Sequence, residues 1–100
     1  MPLHKGSGRA VVSGKAIDFA MISDAGKTVR CMVTQGAIYD FARLSSPAYI
    51  DLASVNSLSV YLNWQIVIET IASNKYDEGD LIHGMAVIAP RDLIRAGLIL

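Results

Sequence analysis

The residues of this chain that could do chemistry are few and far apart. His4, Cys31 and His83 are its only imidazole and thiol ligands. A structural zinc site takes four such groups at short spacings, so no metal is expected. Cys31 as a nucleophile would need a neighbouring histidine and a lowered pKa. Instead it alternates with Val29 and Val33 on one strand face, the setting of a buried, inert thiol. His83, beside Gly84, could titrate near neutral pH; its other reading is a histidine that hydrogen-bonds at a strand end.

Three motif fragments are incomplete. Gly26-Lys27-Thr28 has the ending of a phosphate-binding loop, but the first glycine of that motif falls on Met21. Gly6-x-Gly8 starts a dinucleotide fingerprint whose third glycine falls on Val11. Asp77-Glu78-Gly79-Asp80 is shorter than the ~12-residue calcium loop of an EF-hand and reads as a solvated acidic turn. No catalytic, metal-binding or cofactor-binding residue is therefore expected. The alternative worth carrying is a small ligand-binding protein or enzyme, with Arg30, Asp51 and His83 around a cleft between sheet and helix.

Composition points to contacts with protein. Nine basic and nine acidic residues cancel, whereas nucleic-acid binding rests on a surplus of Lys and Arg against phosphates. His4, Lys5, Arg9 and Lys15 make the first segment only loosely cationic. The chain is 52% hydrophobic and 18% charged, richer in apolar groups than the usual ~45–50%. That leaves apolar surface for a second subunit to cover. A single cysteine suits a reducing compartment. Gly6, Ser7 and Gly8 interrupt any apolar leader, and Asn63, Gln65 and Glu69 interrupt the longest apolar stretch. A cytoplasmic protein without a membrane span is expected.

The elements that would position these residues follow from periodicity. Residues 1–14 read as a flexible arm with Ala10-Val11-Val12 as its apolar anchor, able to end in a short strand, and residues 15–100 as one α+β domain. Ile17, Phe19 and Met21 alternate with Asp18 and Ala20, the period of a half-buried strand. Ser23 to Lys27 is a turn, and Thr28 to Val33 a second strand that completes a hairpin. Thr34 caps a helix whose apolar face is Ala37, Ile38, Phe41, Ala42 and Leu44. Ser46-Pro47 stops that helix and can start a short turn from Ala48 to Ala53.

A long helix is predicted next, capped by Ser54 or Asn56 and running to about Tyr76. Val60, Trp64, Val67, Ile68 and Ile71 form its core stripe. Leu58, Tyr61, Leu62 and Ile66 extend the apolar surface well beyond the ~100° that one covered face requires. Leu81 to Ala89 reads as a third strand, and Arg91 to Ala96 as a last helical turn before Leu98-Ile99-Leu100. The expected layout is a three-stranded antiparallel sheet, hairpin plus C-terminal strand, under one short and one long helix.

This order resembles a family of small uncharacterised proteobacterial proteins, domain of unknown function 1488. The likeness rests on Thr28-Val29-Arg30-Cys31-Met32-Val33 leading into Thr34-Gln35. It continues through Ile68-Glu69-Thr70-Ile71-Ala72, Lys75-Tyr76, Val87-Ile88 and Arg91-Asp92-Leu93. The resemblance implies a fold and a bacterial setting but no catalytic residue. The function expected is a non-catalytic, homodimeric interaction module with Leu58, Tyr61, Leu62 and Ile66 at its interface.

Overall fold

The computed structural model describes residues 3–5, 10–45 and 55–98. The expected turn at 48–53, the Ser46-Pro47 boundary, the Ser54 cap, Asp51 and the last two residues lie outside them.

The hairpin forms where alternation placed it. Strands β3 (Ala16–Ile22) and β4 (Thr28–Val33) pair antiparallel, with Ile17 opposite Val33, Phe19 opposite Cys31 and Met21 opposite Val29. Cross-strand partners share a face, so these six side chains are buried together. Asp18, Ala20, Thr28, Arg30 and Met32 point to the opposite, uncovered side. In the connecting turn Gly26 takes a φ of 80°, which costs glycine nothing.

The residues expected as an arm extend this sheet. β1 (His4–Lys5) and β2 (Val11–Ser13) both pair antiparallel with β3 along one edge. Leu3 is buried, and its backbone N–H donates to Ser73 Oγ at 2.9 Å. β2 turns into β3 through the two residues Gly14-Lys15, with Gly14 at a φ of 64°.

The C-terminal strand corrects the expected sheet. β5 (Ala86–Ile88) runs parallel to β4, with Cys31 opposite Ala86 and Val33 opposite Ile88. Across the described residues the sheet is mixed, in the order β1-β3-β4-β5 with β2 beside β3. Parallel neighbours need a long crossover, and the helices between Val33 and Ala86 provide it. The predicted strand from Leu81 is also shortened. Ile82 bridges Met85 around His83 and Gly84, both at positive φ (50° and 77°), and only then does β5 begin.

The helices cover one face of the sheet. α1 (Gln35–Ser45) starts where Thr34 Oγ1 accepts the Ala37 N–H at 3.3 Å. Gly36 lets α1 approach α4 (Pro90–Arg95) closely, since a Cβ there would stand 3.1 Å from Pro90 Cγ. The single long helix is two: α2 (Ser57–Asn63), capped by Asn56 Oδ1 on the Ser59 N–H, and α3 (Gln65–Glu78). Between them Trp64 has φ −112° and ψ 16°, outside helical values. Its ring is pinned, tilted by 38° with its centroid 5.2 Å from that of Phe41 and Nε1 donating to Ser45 Oγ. No helix of the described residues is long and apolar enough to cross a membrane.

Candidate functional site

The helix pair α2–α3 has one face on the sheet and another in solvent. On the inner face Ile68 and Ala72 are fully buried, and Tyr61, at 4% exposure, packs with its ring centroid 5.3 Å from that of Phe19. On the outer face Leu58, Leu62 and Ile66 are 39%, 58% and 82% exposed. Leu58 and Leu62, four residues apart, share one side of α2, and Ile66 lies past the Trp64 break at the start of α3. Ile66 also rims a groove of about 420 Å³ that reaches the first strand, lined by Leu3, Met21, Glu69, Thr70 and Ser73.

A second feature is charged. Lys75 and Asp92 are each only 4% exposed. The Lys75 ammonium donates to Asp92 Oδ1 at 2.8 Å and to Asp80 Oδ2 at 2.9 Å. Asp92 Oδ2 accepts the Ala89 N–H at 2.8 Å, which holds the start of α4. Arg95 closes the outer side, 3.5 Å from Asp80 and 3.6 Å from Glu78. The hydrogen bond and charge of Lys75, assisted by Arg91 and Arg95, hold the Asp80 carboxyl below its ordinary pKa. A cleft of about 300 Å³ lies over this cluster, between the end of α3 and α4.

Every buried side-chain nitrogen and oxygen among the described residues has a partner. The charged cluster is thus internally satisfied, and its geometry is that of a clamp joining α3, the Gly79-Asp80 turn and α4. Burial, with the charge of Glu69 added, pushes the Cys31 thiol up to about 12. A thiol so placed stays protonated at neutral pH and is no nucleophile. Burial and Glu69 likewise push Tyr61 up to about 12. Among the described residues no three His, Cys, Asp or Glu side chains are grouped to hold a metal.

Of the four expected interface residues, Leu58, Leu62 and Ile66 stand together on the outer face. Tyr61 does not, because its position turns it onto Phe19 beneath the helix. The residues proposed for a ligand cleft are placed only in part. Arg30 alternates with buried Val29 and Cys31 and so projects from the open side of the sheet, away from the helices. His83 is exposed in the tight turn before β5, and Asp51 lies outside the described residues. Among the described residues, no hydrogen bond or ion pair joins Arg30 to His83.

The Lys75–Asp92 pair was not anticipated, although a signal for it exists. Ile68, Ile71, Ala72 and Lys75 follow the i, i+3, i+4, i+7 pattern of a buried stripe, so a lysine on it needs a buried counter-charge.

Three comparisons complete the description of the site: no family model, no curated protein and no solved structure matches this chain.

Proposed function

We propose that this chain is a non-catalytic interaction module that pairs with a second copy of itself through the outer face of α2 and α3. The observation that carries this reading is the row Leu58, Leu62 and Ile66, solvent-exposed on a helix pair whose opposite side is already in the core. Water is a poor neighbour for such a row, and contiguous exposed apolar surface marks contact sites. The resemblance to domain of unknown function 1488 assigns no residue a role, so the geometry supports the reading alone.

The row is compatible with its own copy. Reversed, it again presents branched aliphatic side chains, as a two-fold interface demands. Ser57–Asn63 contains no charged residue, so the α2 part of the surface brings no like charges together. The unburied parts of the row amount to roughly two whole side chains per copy, and burying both copies gains on the order of 6–10 kcal/mol. Association costs of ~4–15 kcal/mol oppose this. A reversible, concentration-dependent dimer is therefore the expected form.

Light scattering over a dilution series tests it. Wild type should pass from dimer to monomer on dilution, and Leu62→Glu should stay monomeric with an unchanged circular dichroism spectrum. A wild type that is monomeric at every concentration overturns the proposal. So does a Leu62→Glu variant that folds and still pairs like the wild type.

A further inference from the structure

We infer that the groove between α3 and the β1–β3 edge binds a small linear aliphatic amine in its protonated form, with its ammonium on Glu69 and its carbon chain along Leu3, Met21 and Ile66. The site lies within one chain, so it stands or falls apart from the pairing proposed above.

α3 builds one wall. Ile66, Glu69, Thr70 and Ser73 follow the i, i+3, i+4, i+7 spacing that gathers side chains on one side of a helix. Leu3 and Met21 lie across from them, and the Leu3 N–H on Ser73 Oγ fixes one end. Both residues belong to the hydrophobic core, so the floor of the groove is apolar. Its volume of about 420 Å³ falls within the ~300–1,000 Å³ of small-molecule sites.

Charge selects the head group. Among the described residues that line the groove, Glu69 alone is charged. It is half-buried, and its Oε2 accepts from a neutral donor, Gln65 Nε2, at 3.1 Å. Burial first, and then the charge of Glu69, push the Cys31 thiol and the Tyr61 hydroxyl up to about 12. The field of this carboxylate therefore extends into the fold, where solvent screens it weakly. A cation completes such a group best. Two further acceptors stand beside it. Thr70 Oγ1 donates to the Ile66 carbonyl at 2.8 Å, which leaves its lone pairs to accept. Asn74 adds an amide oxygen at the rim. With Glu69 these match the three donors of a primary ammonium, whereas an anionic ligand would be repelled. An inorganic cation would leave the apolar floor unused; an aliphatic amine uses both.

The probe is n-hexylammonium at neutral pH, titrated into wild type and followed by the amide shifts of Leu3, Glu69, Thr70 and Ser73. Saturable shifts are expected at these four residues. Two comparisons need no substitution. Binding should tighten by up to about fourfold per methylene from n-butyl to n-hexyl, and n-hexanol should bind at least about tenfold more weakly. Glu69→Gln should cost the amine the same factor and leave hexanol unaffected. β1 places Lys5 opposite Met21, so Lys5→Gln is the companion variant. Shifts that arise only in Lys5→Gln would make the chain's own lysine the cation of the groove and overturn the proposal. Hexanol binding as tightly as the amine, or an amine indifferent to a folded Glu69→Gln, would overturn it too. An Nα-acetyl-lysine amide that outbinds n-butylammonium would assign the site to a protein partner, against a small amine.

Discussion

At the scale of single residues, the informative side chain is Lys75. Ion pairs at a surface contribute little, but this one is buried with Asp92, and a buried charge stripped of its partner is costly. Lys75→Met keeps most of the apolar stem and deletes the ammonium. Asp92 would remain, its Oδ2 on the Ala89 N–H and its Oδ1 without a cation. The expected loss is about 3–5 kcal/mol in urea denaturation. Adding Asp92→Asn should restore part of it, because an amide oxygen still accepts from Ala89 without carrying charge. A single variant within ~1 kcal/mol of wild type would mean that the lysine contributes through its stem alone. Cys31 shows the opposite case, in which sequence reasoning sufficed: its alternation with Val29 and Val33 foretold a buried thiol, and the strand delivers one.

At the scale of elements, local period was legible and strand direction was not. Alternation over Ile17–Met21 and Thr28–Val33 specifies the hairpin because neighbours in sequence pair directly. The Thr34 and Asn56 caps are equally local, one side chain and an amide three residues on. β5 is different. Its apolar run is the same whether it lies parallel or antiparallel, and its direction is set by the path of the intervening helices. Trp64 likewise interrupts the long helix through partners on α1, Phe41 and Ser45, which no pattern within residues 57–78 encodes. The α3–α4 clamp is also non-local, and it titrates. Asp80 has its folded pKa lowered, so it binds protons less readily folded than unfolded. Its stabilisation is present above the unfolded pKa, near ~4, and is lost as pH falls through the folded value. Asp80→Asn should be less stable than wild type at neutral pH, and the difference should shrink as the solution is acidified. Urea midpoints measured from neutral to strongly acidic pH would show this, and a gap that stays constant would exclude a contribution from Asp80 ionisation.

At the scale of the whole molecule, the sequence carried a surplus of apolar residues but could not allocate it. The two-sided helix was visible from residues 58–71, yet which side met the sheet depended on Phe19 receiving Tyr61. Ala10-Val11-Val12 stood out as the apolar anchor of a Gly-rich arm, but its pairing with β3 depends on a partner outside that stretch. With the surplus located, self-association becomes a statement about stability. A partner that binds only the folded state stabilises it by mass action, and here that partner is the protein itself. The melting temperature of wild type should therefore rise with its own concentration. A hundredfold increase from near the dissociation constant adds up to about 2–3 kcal/mol per pair, and each kcal/mol moves a domain of this size by roughly 4–8 °C. Shared between two chains, the shift should be several degrees. Leu62→Glu should melt at one temperature whatever its concentration. A flat wild-type profile would place the row of Leu58, Leu62 and Ile66 permanently in water, and an upward slope that survives Leu62→Glu would move the contact to another surface.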